Sequence, residues 1–429
     1  MHLLSSCCLP LICLKLAFGD DVFTGYGKTL KEINFIGVRY TDIDILTREL
    51  VSQVGRPYLR ENVLPDYNAL DKLDVFSQIK ISPVEFQDGV ILEITVREIY
   101  PYLPFITYEV TDENGFSVGA GLQSVNLGRR DVFLVGLARF GGATNISMLL
   151  ANPWFAGDHV SYQLEFNQRE RVNELDDFQE TATEITFRLG SYLGPKGRLG
   201  GFSTFQSIKS DAAGRTLSST NRDNVSSLGF YIGYDSRDVW SNPHTGWWNE
   251  ADVAKTGGFL GGSSDFWRLN VDLRRYIPVV KKQTLALFSL LTLTTGTVGK
   301  DVAAWQDFSL GGTNSVRGWE LGSRTGKNQL ISTAEYRVTV LEPKLLTLAG
   351  LSVDIGLQLA AFADLGMAWN QQGQFQSGNL IGGYGVGLRL LVPFVDMFRF
   401  DFGMGQHGKS VTVNIGGFTK AVAQRYRVR

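Results

Sequence analysis

The segment Trp267–Arg274, which reads WRLNVDLR, decides the fold because its apolar and polar residues alternate strictly. A period of two is typical of a β-strand whose two faces meet different surroundings. The same alternation recurs at Val160–Asn167 and Phe398–Gly403, and no helical pattern after Tyr100 is available to cover the apolar faces. An apolar exterior that faces lipid and a polar interior explain this pattern better than a soluble sandwich does. The sequence therefore predicts a transmembrane β-barrel.

Sixteen segments of this kind follow Tyr100, and an even number lets an antiparallel barrel close with both ends on one side. Closure is compulsory in a bilayer, because backbone groups in hydrocarbon must all be paired. The prediction is a mainly β fold with a sixteen-stranded antiparallel transmembrane β-barrel over residues 101–418, and fourteen strands remain the alternative. The segments begin near Phe105, Phe116, Asp131, Thr144, His159, Thr181, Gly197, Asn224, Gly246, Asp265, Gln283, Asn328, Ser352, Asn379, Met397 and Ser410.

The composition of the chain narrows the possible function classes. Its 429 residues are enough for one large domain and one small domain. The formal net charge of −2 gives no support to nucleic-acid binding, which needs a basic face. After the N-terminus there is no run of about 18 apolar residues, so the sequence predicts no membrane-spanning helix.

Residues 1–19 have the features of a signal peptide for export. Leucines form the apolar core, and Ala17-Phe18-Gly19 offers small residues at both key positions of a cleavage site. No Lys or Arg precedes the apolar core, so a buried segment or a misassigned start codon is the alternative. Cys7, Cys8 and Cys13 all lie in this segment. The mature chain would then have no cysteine, which excludes disulfides and thiolate sites.

Residues 28–98 predict a small α+β unit with the order β-α-α-β-β. Its last two strands, Ser77–Phe86 and Val90–Arg97, are joined by Gln87-Asp88-Gly89, and Asp-Gly between alternating runs is a hairpin signal. This order and the closing stretch VFSQIKISPVEFQDGVILEITVRE resemble a POTRA domain. The resemblance implies a periplasmic position in front of an outer-membrane barrel, with a sheet edge that can add a client strand. A generic α+β domain is the alternative.

A glycine-rich stretch, Gly311–Trp319 with the sequence GGTNSVRGW, lies between two long alternating segments. It places one cation, Arg317, beside a glycine and a large aromatic residue. A guanidinium can hold a carboxylate with two parallel hydrogen bonds, which would help to order a long loop. From spacing alone, a solvated loop charge is the favoured interpretation of Arg317, because exposed ion pairs contribute little.

Five short motifs, together with the α+β unit before them, resemble the BamA-type superfamily of outer-membrane assembly and secretion barrels, which carry a bacterial surface antigen barrel. The resemblance covers residues 28–418. Each motif is weak alone, and their order along the chain makes them specific. In chain order they are Tyr234–Asp238, Tyr276–Pro278, Val316–Trp319, Phe362–Gly366 and the closing stretch Gly383–Gly403.

The resemblance implies that a long loop folds into the lumen of a sixteen-stranded barrel. Its tip would be Val316, Arg317, Gly318 and Trp319, where Trp319 replaces the usual Phe or Tyr. Arg317 would pair with a carboxylate on the inner wall, with Asp364 as the first candidate and Glu335 as the second. The resemblance also implies that the first and last strands pair poorly, so that clients enter there as added strands.

The end of the chain departs from the pattern of this superfamily. Its members usually end at an aromatic residue that forms part of the assembly signal, and Phe418 ends the last predicted strand here. Residues 419–429 continue as a C-terminal extension with several basic residues. This extension puts the role of Phe418 as a signal in doubt.

Taken together, these features predict a bacterial outer-membrane protein that assists insertion or translocation of polypeptides, with its POTRA domain in the periplasm. The expected partners are the outer-membrane lipid bilayer and unfolded or exported polypeptide clients, with no nucleic acid. The resemblance leaves room for accessory periplasmic or lipoprotein subunits. A dedicated secretion pore for one partner, a passive porin-like channel and an organellar homologue are the alternatives.

The sequence predicts no enzyme, no catalytic residue, no cofactor and no metal site. The match of Gly115–Gly119 to the G-x-S-x-G pattern is discounted, because the following residues predict a strand and not the helix of a nucleophile elbow. The scattered histidines are expected at exposed loops or strand ends. Trp247, Trp248 and Trp267 are candidates for an interfacial aromatic belt, with packing in the lumen as the alternative.

Overall fold

A computed structural model describes residues 23–415 of the chain with short gaps. The predicted signal peptide, Phe418 and the extension 419–429 lie outside the described residues. In the described part, no helix is both long enough and apolar enough to span a membrane. The gaps fall at residues 74, 112–113, 158, 174–177, 195, 239–241, 313–314, 349–350, 393–394 and 407.

The N-terminal unit is a three-stranded sheet that carries two helices. Strand β3 lies in the centre, parallel to β1 and antiparallel to β2. The elements are β1 (Thr29–Ile36), α1 (Ile43–Glu49), α2 (Val63–Lys72), β2 (Phe76–Phe86) and β3 (Gly89–Glu98).

Among the described residues, sixteen strands form one large sheet, and each pairs antiparallel with its neighbours. Strands β15 (Phe308–Leu310) and β16 (Arg324–Gly326) form a separate small sheet in the loop that joins β14 to β17. Strands β4 and β21 stand at the two ends of the sheet order. The strands of the large sheet are β4 (Tyr102–Thr111), β5 (Gly115–Leu127), β6 (Val132–Gly141), β7 (Thr144–Ala156), β8 (Val160–Val172), β9 (Gln179–Leu193), β10 (Gly197–Ser210), β11 (Arg222–Asp235), β12 (Gly246–Gly257), β13 (Asp265–Val280), β14 (Gln283–Thr294), β17 (Asn328–Leu348), β18 (Leu351–Trp369), β19 (Ile381–Val392), β20 (Val395–Gly405) and β21 (Gly408–Ile415).

The large sheet has an outer face that exposes large apolar side chains and an inner face that carries less exposed side chains. On β11, Phe230 and Ile232 are 66% and 55% exposed, while Tyr231 between them is buried. Successive side chains of a strand point to opposite faces, so this contrast follows from the period of two in the sequence. The prediction of a mainly β fold is confirmed.

The N-terminal unit packs against the inner face of the sheet through α1. Leu46 of α1 belongs to one buried apolar cluster with Phe133 of β6 and Leu149 of β7. Ile45 beside it is fully buried. The core of the small unit therefore continues into the wall of the large sheet.

A buried amide joins the two units next to this apolar contact. Nδ2 of Asn126 on β5 donates to the backbone oxygen of Tyr40 at 2.9 Å and lies 2.8 Å from Oγ1 of Thr41. Its Oδ1 accepts from the backbone nitrogen of Asp131 at 2.8 Å. Asn126 thus binds the segment before α1 to the turn between β5 and β6.

A column of stacked side chains extends the contact between α1 and the sheet. The ring of His159 lies between Trp154 and Tyr192, with centroid distances of 3.7 Å and 3.8 Å. Arg48 of α1 lies 4.5 Å above the Trp154 ring, and Arg198 lies 3.1 Å from the Tyr192 centroid. His159 lies directly before β8, so the expected strand-end position holds, but its ring is not exposed because aromatic neighbours from two strands cover it.

Candidate functional site

The loop between β14 and β17 folds onto the inner face of the sheet. Its tip is closed by a hydrogen bond from the backbone nitrogen of Gly312 to the backbone oxygen of Trp319, at 2.6 Å. Gly318 has a φ of +91°, which favours glycine because side chains rarely adopt this backbone conformation. The turn at Gly318 directs Val316 and Arg317 toward strands β17 to β20.

Arg317 and Asp364 form a bidentate pair. Nε of Arg317 donates to Oδ2 of Asp364 at 2.7 Å, and Nη2 donates to Oδ1 at 2.8 Å. The backbone nitrogen of Arg317 also donates to Oδ2 at 3.1 Å, and Thr333 on β17 donates to Oδ1 at 2.8 Å. The carboxylate of Asp364 on β18 therefore binds both the side chain and the backbone of the loop tip.

Two further carboxylates and two further arginines complete the cluster. Nη1 of Arg317 lies 3.0 Å from Oδ2 of Asp401 on β20 and 3.4 Å from Oε2 of Glu335 on β17. Arg389 on β19 donates to the same two side chains, at 2.5 Å to Asp401 and 2.7 Å to Glu335. Arg337 donates to Oε1 of Glu335 at 2.7 Å. In the described part of the chain, these ion pairs join three arginines to three carboxylates, so their charges balance.

The cluster is screened from solvent. Arg317 is 5% exposed and lies 3.4 Å from the centroid of the Phe362 ring, so it is not the solvated loop charge that its spacing alone allows. Burial lowers the pKa of Arg317, but the hydrogen bonds and charge of Asp364, with the charges of Glu335 and Asp401, raise the pKa above its usual value. A cation held in this way keeps its proton and acts as a structural tether.

Glycines on the inner face leave room for the loop tip. A Cβ on Gly383 would lie 1.9 Å from the backbone oxygen of Arg317, and a Cβ on Gly403 would lie 2.8 Å from the backbone nitrogen of Gly318. A Cβ on Gly405 would lie 2.5 Å from the backbone oxygen of Gly318. Glycine in a strand often marks a close approach of another backbone. We call Gly383, Gly403 and Gly405, which lie under the loop tip, the glycine floor.

Apolar contacts and one further hydrogen bond hold the rest of the tip. Val316 is fully buried in a cluster with Leu310 and Ile381. The indole nitrogen of Trp319 donates to the backbone oxygen of Gly382 at 2.8 Å. All four residues of the predicted tip thus contact the sheet. Val316 does so through its apolar side chain, Arg317 through its guanidinium, Gly318 through its backbone and Trp319 through its indole N–H.

Sequence reasoning assigned no role to Asp401, Arg389 and Arg337. Asp401 and Arg389 lie within the closing motif. The alternation of apolar and polar residues in Phe398–Gly403 already assigns Asp401 to the polar, inward face of the strand. The sequence also assigned no role to Gly383, Gly403 and Gly405, the glycine floor, because it does not show which glycines lie under the loop. Within the described residues, no group of three or more His, Cys, Asp and Glu side chains is arranged to hold a metal ion.

The adjacent tryptophans Trp247 and Trp248 point to opposite faces of β12. Trp247 is 42% exposed on the outer face, whereas Trp248 is buried on the inner face, 4.4 Å from the guanidinium of Arg274. Trp267 is also exposed on the outer face. A belt position therefore suits Trp247 and Trp267, and inner packing applies to Trp248.

A large antiparallel sheet with an apolar outer face and a polar inner face occupied by a loop is typical of outer-membrane β-barrel proteins. The chain belongs to the Omp85 superfamily, since the domain that defines the superfamily matches residues 114–418. The resemblance to BamA-type proteins is thereby confirmed. Membership in this superfamily supports a location in the outer membrane.

One curated relative and two solved structures are similar to the chain. The outer membrane protein assembly factor BamA of Nitratidesulfovibrio vulgaris is 23% identical over 402 residues, which are 86% of this chain and 47% of that protein. The chain therefore spans about half the length of this relative. BamA from Haemophilus ducreyi lacking POTRA domains 1–3 has a TM-score of 0.59 and 16% identity, covering 90% of this chain and 83% of that chain. CdiB from Escherichia coli has a TM-score of 0.60 and 14% identity, covering 91% and 75%.

Proposed function

We propose that this chain is a BamA-type outer-membrane protein that assists the insertion or translocation of polypeptides. In this proposal, residues 101–418 close into a sixteen-stranded transmembrane barrel, and residues 28–98 form a single POTRA domain in the periplasm. Membership in the Omp85 superfamily supports the proposal. The exposed apolar residues on the outer face of the sheet also support it, because lipid is the solvent that such a face requires.

The proposed working site is the seam between β4 and β21, the two ends of the sheet order. A strand edge presents backbone donors and acceptors on which a client segment can form a new strand. Pro104 lies in β4, and proline occurs in sheets mainly on edge strands because it lacks a backbone N–H. Ile106 of β4 is 81% exposed, so the strand also offers apolar contact to a client.

The observation that carries the proposal is the tether at Arg317. Its carboxylate partners lie on β17, β18 and β20, and β20 is the neighbour of the last strand. A loop fixed in this way braces the inner wall next to the seam, so strand exchange at the seam does not disturb the rest of the barrel. The proposal assigns no covalent chemistry to the chain.

The N-terminal unit is proposed to receive clients on the periplasmic side. Its outer strand β2 lies at the edge of the small sheet, where an extended client segment can add by backbone pairing. The contact between α1 and the inner face of the large sheet supports a position of this unit at the proposed entry to the barrel.

Crosslinking at the seam tests the proposal. A photo-crosslinking amino acid at Ile106 on β4 or at position 411 on β21 should trap strands of nascent outer-membrane barrels. The same group at Phe230, which is 66% exposed on β11 far along the sheet order, is the matched control. Capture of one exported soluble protein would favour a dedicated secretion pore, and ion conductance with no adduct at either position would favour a passive channel.

A further inference from the structure

The outer face of the sheet is indented at β12. Asn249 and Ala251, the outward residues of this strand segment, are small, while their cross-strand neighbours on β11 and β13 are large. The strands are in register here, so each small side chain stands between two bulky ones. The two rows are Tyr234–Asn249–Leu273 and Ile232–Ala251–Val271.

This indentation is an apolar groove of about 520 Å³. Its volume lies in the range of about 300–1,000 Å³ that is typical of small-molecule sites. The next outward residues of β12 in the two directions, Trp247 and Val253, are both large and bound the groove along the strand. Glu250 lies between Asn249 and Ala251, but its side chain points to the inner face and is buried.

Two cations lie at or next to one end of the groove. Lys196, in the turn between β9 and β10, is exposed and lines the groove. Arg275 on β13 pairs with Trp247 across the strands, and its guanidinium lies 4.8 Å from the ring centroid. The nearby carboxylate of Asp235 is bound to Arg237 at 2.8 Å, so its charge is already compensated. This end of the groove is therefore suited to an anion.

We propose that the groove binds one acyl chain of an anionic glycerophospholipid, whose phosphate lies at the end bounded by Lys196 and Arg275. The inference rests on the proposed function, because the groove meets lipid only if the sheet spans a bilayer. Methylene groups gain free energy by filling an apolar depression, and Lys and Arg donate charge-assisted hydrogen bonds to phosphate. An exposed tryptophan beside the arginine suits the headgroup level of a membrane.

Native mass spectrometry of the purified full chain in neutral detergent tests the groove. Phosphatidylglycerol and phosphatidylcholine with the same acyl chains are the probes, and one tightly bound phosphatidylglycerol per chain is expected. Ala251→Trp fills the groove and should weaken this binding by about tenfold or more, because several methylene contacts are lost. Ala138→Trp, the same change at an outward position of β6, should leave the binding unchanged. Equal binding by wild type and Ala251→Trp would overturn the proposal.

The headgroup is tested with the charge variants Lys196→Glu and Arg275→Gln. Both should lose the preference for phosphatidylglycerol over phosphatidylcholine and keep their folded state, since neither side chain lies in the core. A preference that persists in both variants, or wild-type protein that binds the two lipids equally, would contradict the assigned phosphate site. If Ala251→Trp does not fold, Ala251→Leu fills part of the groove and decides the same question. Client crosslinking at the seam is read separately, so a failed lipid site and a failed transport function are distinguishable.

Discussion

Gly383 lies directly beneath Arg317, so close that a Cβ on this glycine would stand 1.9 Å from the backbone oxygen of the arginine. No side chain fits in that space. The ion pairs of Arg317 therefore depend on a residue that makes no ion pair itself. The glycines of β19 and β20 let the backbone of the loop tip approach the inner face of the sheet. The carboxylates can bind Arg317 only because the loop comes this close.

Gly383→Ala should loosen the loop tip while the sheet persists. Overpacking of this kind costs about 1–3 kcal/mol. Hydrogen exchange of the loop amides around Arg317 should accelerate accordingly, by about 5- to 150-fold. Gly136→Ala on β6 is the matched control, since the nearest atom to its added Cβ is 3.9 Å away. Equal exchange in the two variants would show that the glycine floor does not position the loop.

Arg317→Ala should reduce client insertion while the sheet still assembles. The change leaves three buried carboxylates with less compensation, and breaking a buried ion pair typically costs about 3–5 kcal/mol. Insertion of a client barrel into vesicles and the heat-modified electrophoretic mobility of the variant measure the two properties separately. Arg324→Ala in the same loop is the control, because Arg324 donates to the backbone oxygens of Ser323 and Asn379 and, among the described residues, to no carboxylate. Unchanged insertion by Arg317→Ala would remove the role assigned to the tether.

The pair Arg317–Asp364 should show strong coupling in a double-mutant cycle. Arg317→Gln, Asp364→Asn and the double variant are compared by the free energy of loop opening from hydrogen exchange, and a coupling of at least about 1.5 kcal/mol is expected for a close, buried charge pair. Lys282 and Glu342 form a control pair at 3.5 Å whose side chains are 45% and 50% exposed. Exposed pairs contribute about 0–1 kcal/mol, so similar coupling in both cycles would contradict the buried tether.

Asn126→Leu should loosen the N-terminal unit from the large sheet. The change leaves two backbone groups and the hydroxyl of Thr41 without their partner, at a cost of about 1–3 kcal/mol for each buried group that stays unsatisfied. Limited proteolysis in the linker near Tyr100, which is 68% exposed, should become faster.

The control for this interface is Arg130→Ala. Arg130 pairs with Asp44 at 3.7 Å, and both side chains are more than half exposed, so its loss should have little effect. If Arg130→Ala accelerates cleavage as much as Asn126→Leu does, the buried amide is not what joins the two units.

Much of the candidate site could be predicted because its residues lie in short motifs that resemble those of a known superfamily. Arg317 stands out beside a glycine and an aromatic residue, and Asp364 lies in a short motif of a single strand. The alternation along the closing strand already assigned Asp401 to its polar face. What remained hidden was the sharing of Glu335 and Asp401 between Arg317 and Arg389, since that depends on which strands are neighbours and in what register.

The alternation of Trp267–Arg274 by itself determined a strand with one apolar and one polar face, because the period of two is encoded within a few residues. Repetition of that period determined a mainly β protein, and the order of motifs indicated its superfamily. Only the tertiary structure decided that Arg317 meets Asp401, 84 residues away, and that Gly383 lies beneath the loop. Contacts at such separation follow from strand register and the path of the loop, which no local pattern of residues contains.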